Sequence, residues 1–100
     1  MSVNMSGNQG SDNMVQDNNM YQAVNEPVDV IATFRQDRAE PVIFKWNNRY
    51  YRITSVNLVH TERQGRNKMY IYSVTDKANA FRLRFYTETL KWELEEMAIL

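Results

Sequence analysis

Between Pro41 and Ile53 the chain reads Pro-Val-Ile-Phe-Lys-Trp-Asn-Asn-Arg-Tyr-Tyr-Arg-Ile, two runs of alternating character separated by a pair of asparagines. Val42, Phe44 and Trp46 alternate with Ile43 and Lys45, and Tyr51 and Ile53 alternate with Tyr50 and Arg52. A period of two is the pattern of half-buried antiparallel strands, and asparagine tolerates the positive φ that a tight hairpin needs. A two-residue turn at Asn47-Asn48 sets Phe44 opposite Tyr51 and Val42 opposite Ile53 on one face, with Lys45 opposite Tyr50 on the other. Facing aromatic and β-branched pairs of this kind contribute roughly 0.2–1 kcal/mol each over Ala–Ala. The aromatic spacing is thus explained by packing, and function is to be sought on the face of Lys45, Tyr50 and Arg52.

The rest of the chain extends the same pattern. A first strand is predicted over Val28 to Arg35, with Val28, Val30, Ala32 and Phe34 inward and Ile31 the apolar exception on the outer face. Pro41 suits the first position of the next strand, where its missing N–H costs least. The third strand changes phase, since Tyr51 and Ile53 are odd while Val56 and Leu58 are even, so a β-bulge or bend is expected near Thr54-Ser55. A polar turn around Gly65 leads to a strand from Met69 to Thr75, in which Met69 and Ile71 compete with Tyr70, Tyr72 and Val74 for the buried face. Phe81 to Tyr86 follows, with Phe81, Leu83 and Phe85 inward. Leu90 to about Glu95 is expected as a strand with Leu90, Trp92 and Leu94 inward, and with a helical turn beyond it. As a helix throughout, this segment would instead gather Leu90, Leu94, Met97 and Ala98 on one stripe.

Composition bounds the chemistry. The first 26 residues are rich in Asn, Gly, Ser, Gln and Met, and cannot bury enough surface to offset the roughly 1–2 kcal/mol per residue of ordering the backbone. They are expected to be a disordered tail, followed by one small domain from residue 27 to 100. No cysteine and a single histidine, His60, exclude a disulfide framework, a thiolate nucleophile and a multi-His metal site within one chain. The three glycines do not form a phosphate loop, and two of them, Gly7 and Gly10, lie in the tail. No apolar run approaches the length of about 18 residues that spans a membrane, and no signal peptide is recognisable. A cytoplasmic, cofactor-free, non-enzymatic protein is expected. A general acid/base role for His60 with Glu62 or Asp76 has no recognisable spacing behind it.

Charge is unevenly placed. The first 26 residues carry −3 and the remainder +3, and between Lys45 and Arg84 nine basic residues stand against Glu62 and Asp76. Lys45, Tyr50, Arg52, Arg82 and Arg84 are the candidates for a basic and aromatic face that holds a phosphate backbone while tyrosines stack on bases. The competing reading pairs Arg82 and Arg84 with Glu93 and Glu95 across neighbouring strands, leaving a protein-binding sheet edge or apolar patch as the functional feature.

The segments Phe44-Lys-Trp46-Asn-Asn-Arg49-Tyr-Tyr51-Arg-Ile53, Phe81-Arg-Leu83-Arg-Phe85 and Leu90-Lys-Trp92-Glu-Leu94-Glu95-Glu96 resemble the small bacterial family called domain of unknown function 6504. The resemblance covers residues 28 to 97 and departs from the family's pattern at Val59-His60, where a tryptophan is usual. It implies an accessory or adaptor role near DNA repair and carries no catalytic residue across. Taken together, the sequence predicts an all-β antiparallel meander of six strands, strongly curved or closed as a small barrel. Two functions are expected of it, nucleic-acid contact or, alternatively, protein–protein interaction without nucleic acid.

Overall fold

The computed structural model describes residues 21–100, which form one antiparallel sheet of seven strands. These are β1 Tyr21–Arg35, β2 Arg38–Trp46, β3 Arg49–Arg52, β4 Ser55–Gln64, β5 Asn67–Thr75, β6 Asn79–Tyr86 and β7 Lys91–Ile99. Their order across the sheet is β3-β2-β1-β7-β6-β5-β4. The tail expected over residues 1 to 26 lies outside the described residues up to position 20, and from Tyr21 the chain is already strand.

The all-β antiparallel class agrees with the sequence pattern, but the strand count is seven, not six. The predicted third strand is two strands. Ile53 donates its N–H to the Val42 carbonyl at 2.9 Å, and the next residue, Thr54, donates to the Thr75 carbonyl at 2.9 Å. Adjacent residues thereby bind opposite ends of the sheet, so β1–β3 and β4–β7 are two meanders joined where β1 lies beside β7. The sheet is not closed, because β3 and β4 share no ladder. The phase change expected near Thr54-Ser55 is where the chain crosses from β3 to β4, and a separate slip at Asn57, between Val56 and Leu58, turns Leu58 to the outer face.

Turn chemistry sets the hairpins. Asn47 and Asn48 both have positive φ, 53° and 61°, the geometry of a two-residue turn whose twist matches its strands. The predicted pairs Phe44–Tyr51 and Lys45–Tyr50 form accordingly. Gly65, at φ 60°, opens the two-residue turn between Gln64 and Asn67, a position that other L-residues occupy only with strain.

The core is formed by Ala39, Phe44, Tyr72, Val74, Phe81, Leu83, Phe85, Trp92 and Leu94. Phe44 stacks on Tyr51 at 5.1 Å between ring centroids and meets Phe81 edge-on at 4.9 Å. Tyr72 donates its hydroxyl to the Ala39 carbonyl. Two strands, β1 and β7, separate Phe44 of β2 from Phe81 of β6, and three separate Ala39 of β2 from Tyr72 of β5, so these two contacts are made across the inner face. In β5 the competition is resolved in favour of Tyr72 and Val74 on this inner face, while Met69 and Ile71 are buried on the other.

Several expected inward positions are corrected. Phe34 and Leu58 are exposed, and Val56 sits at the margin of exposure. Phe34 lies beyond the last paired residue of β7, and the β4 end has no layer above it. Leu90 is a turn residue, and no helical turn follows Glu95: Glu96 to Ala98 pair with Tyr21 to Ala23 on one side and with Ala80 to Arg82 on the other. Ladders on both edges override the segment's helix propensity.

Candidate functional site

Arg82 and Arg84 project from the outer face of β6, as predicted, and both are engaged. Arg84 donates from Nε to Glu95 at 2.5 Å and from Nη1 to Glu62 at 3.2 Å. Arg82 approaches Glu96 at 3.5 Å, and the Tyr86 hydroxyl donates to Glu93 at 3.2 Å. The proximity of two successive glutamates follows from a bulge: the β6–β7 register slips by one residue at Glu95, so that Glu95 and Glu96 lie toward the two arginines. Burial works to lower the Arg84 pKa, but Glu95 and then Glu62 outweigh it and hold the guanidinium above its ordinary value. Two arginines and four glutamates do not make an anion-binding surface.

Beneath these ion pairs is an open depression of about 260 Å³ lined by Leu58, His60, Glu62, Ile71, Arg84 and Glu95, among others. His60 Nε2 stands 3.7 Å from Glu62 at an exposed position. Among the described residues no group of three or more His, Cys, Asp or Glu is placed to hold a metal ion, and no helix is long and apolar enough to cross a membrane.

Lys45, Tyr50 and Arg52 belong to the β2–β3 hairpin. The Lys45 ammonium lies 5.6 Å from the Tyr50 ring centroid, and Tyr50 is 70% exposed. Because Phe44 and Phe81 meet through inner faces, the Lys45 side of β2 and the Arg82 side of β6 point away from each other. The five predicted residues therefore form two separate groups.

The feature that sequence reasoning missed is the edge of β1. Residues Tyr21 to Val28 pair with β7, and residues Asp29 to Arg35 pair with β2 on the opposite side. The ladder with β7 ends at Val28, paired with Trp92, β7 begins at Lys91, and from Val30 onward the β7 side of β1 is open. The closing pair of the Gln36-Asp37 hairpin, Arg35 and Arg38, directs its hydrogen bonds inward, so by alternation Thr33 also faces β2 while Phe34 and Ala32 face away. The carbonyl of Ala39, opposite Phe34, does point away from β1, toward Tyr72. The same alternation, followed back from the Asn47-Asn48 turn, directs the N–H and C=O of Val30 outward. Among the described residues no other backbone group bonds this edge.

Side chains around that edge are apolar and exposed. Phe34 is 71% exposed, Ile31 60% and Leu90 69%. An open groove of about 750 Å³ runs along it, walled by Val30, Phe34, Phe85, Leu90 and Trp92 among others. Leu90 holds a left-handed φ of 61° to stand there. The other two open edges are blunted in the usual ways: β3 has four residues including Arg49 and Arg52, and β4 carries His60, Glu62 and Arg63. From Val30 to Phe34 there is neither a charge nor a proline. The available signal was Ile31, an apolar residue on the wrong face of an otherwise alternating strand.

No protein-family model matches the chain, and no curated protein or solved structure matches it either.

Proposed function

We propose that this chain is a protein-interaction module that binds by accepting an extended strand along the open edge of β1. One observation carries this reading: the outward N–H and C=O groups of Val30, Ala32 and Phe34 lie unpaired beside an apolar groove. Main-chain hydrogen bonds supply affinity in such an addition, and the pockets for alternate side chains supply specificity. The module is non-enzymatic and cytoplasmic in this reading, and its sheet is strongly curved, as supported by the contacts of Phe44 and Tyr72 across it.

Ala32→Pro tests the edge. Proline there removes an outward N–H and blocks strand addition without removing a bond between β1 and β2. Nine-residue peptides selected from a random display library should bind the wild-type protein and lose binding to A32P. No selectable peptide, or peptides that hold A32P equally well, would contradict the reading.

Nucleic-acid contact stands second, favoured by the exposed Tyr50 with Lys45 and Arg52 beside it. With Arg82 and Arg84 committed to carboxylates, it rests on the hairpin alone. A DNA-repair adaptor of the kind implied by the resemblance to domain of unknown function 6504 is compatible with either reading. Oligonucleotide binding that weakens with salt and with Lys45→Glu or Arg52→Glu is the outcome it requires.

A further inference from the structure

The start of β7 closes one end of the open edge and restricts what can lie along it. We infer that the strand added to β1 is the C-terminal end of a partner polypeptide, its free carboxylate toward Lys91 and apolar residues at its last and third-from-last positions. The inference rests on the strand-addition reading and names the class of peptide.

Direction comes first. Every ladder in the sheet is antiparallel, and antiparallel pairing is the more stable per residue. A strand added to β1 in that sense runs in the direction of β7 and points at its first residue. Trp92 already pairs with Val28, and Lys91 stands beside Asp29. Leu90, at φ 61°, bends off toward β6 and donates its N–H to the Tyr86 carbonyl at 2.8 Å. The junction of Leu90 with Lys91 therefore takes the place beside Val30, and the added strand pairs with Phe34 and then Ala32. A chain that continued past Ala32 would have to climb out over Leu90, whereas one that ends there needs no further room. Its carboxylate accepts the outward N–H of Ala32 and lies toward that of Val30.

Charge agrees with a terminal carboxylate. Lys91 is exposed at the first position of β7, and Lys45 faces Asp29 across the β1–β2 ladder. Neither lysine forms an ion pair among the described residues. At this end of the groove two ammonium groups stand against the single carboxylate of Asp29.

Side-chain preference follows from the pleat. Directly opposite residues share a face, and Val30 and Ala32 turn inward against the core. The last residue, opposite Ala32, and the third from last, opposite Phe34, thus turn toward the wall of Phe85, Leu90 and Trp92. The residue between them lies on the outer face beside the exposed Thr33, where any side chain fits.

Nine-residue peptides selected on the full chain from a library displayed with free C-termini test the assignment. The selected sequences should converge on apolar residues at the last and third-from-last positions. One of them is then made as the free acid, as the C-terminal amide, and with three glycines appended. The acid should bind about tenfold or more tightly than either other form. Lys91→Gln, with an unchanged urea midpoint because Lys91 is exposed, should weaken the acid and narrow its lead over the amide to about threefold or less. Amide and extended peptides that bind wild type as well as the acid does, or a lead that K91Q leaves unchanged, would overturn the assignment. If those peptides still lose binding to A32P, strand addition stands and only the terminal recognition is removed. If they bind A32P equally, or no peptide is selected at all, both fall.

Discussion

Arg84 reaches Glu95 at 2.5 Å because Glu95 is the extra residue of a bulge in β7. Both side chains are more than four-fifths enclosed, and Glu62 approaches the same guanidinium from β4. Arg84→Met leaves two carboxylates around a site without a cation and is predicted to destabilise the fold by about 2 kcal/mol. Adding Glu95→Leu should recover most of that loss, since an apolar pair can replace an enclosed ion pair with little net change. Urea denaturation of the two single variants and the double variant reads the coupling directly. An R84M variant within a few tenths of a kcal/mol of wild type would show that the pair is only a surface contact.

Tyr72 gives the stability a pH dependence on the alkaline side. Burial, and then the neighbouring Tyr70, push its phenol up to about 12, against roughly 10 in an unfolded chain. The folded value is the higher one, so the stability that this group contributes is complete below about pH 10 and is lost as the pH rises through about 12. Tyr86, raised by burial and then by Glu93, acts in the same direction. Tyr72→Phe should flatten the alkaline fall in denaturation midpoint. At neutral pH it should cost roughly 1–3 kcal/mol through the unsatisfied Ala39 carbonyl. An unchanged alkaline slope would contradict the assignment.

Leu90 is both strained and exposed. A left-handed φ costs a bulky side chain about 1–2 kcal/mol, and strain of this kind persists where it positions a residue for function. Leu90→Gly is predicted to stabilise the fold by about 1 kcal/mol while weakening whatever occupies the groove, because it removes part of the wall beside Trp92. Thermal or urea midpoints together with binding of edge-selected peptides separate the two effects. A variant that gains stability and binds as before would remove Leu90 from the interaction surface.

The hairpin from Pro41 to Ile53 was legible in the sequence down to its register, because a two-residue turn and a period of two leave one consistent pairing for Phe44 and Tyr51. The strand character of β6 and the inward Trp92 and Leu94 were legible for the same reason. The path at Ile53-Thr54 was not, since a phase change looks the same whether a strand bends or ends. The glutamates around the arginines were legible as the reading that pairs Arg82 and Arg84 with Glu93 and Glu95, but the bulge that sets Glu96 beside Arg82 was not, because a one-residue slip leaves no mark in the alternation up to Glu95. The open edge of β1 depends on where β7 stops relative to β1, a non-local fact that Ile31 alone only hints at.

Amide hydrogen exchange across Val30 to Arg35, measured in dilute protein, tests the central claim most directly. Ile31, Thr33 and Arg35 should be protected by β2 while Val30, Ala32 and Phe34 exchange freely. Protection of Val30, Ala32 and Phe34 to the level of Ile31, Thr33 and Arg35 would contradict an open edge.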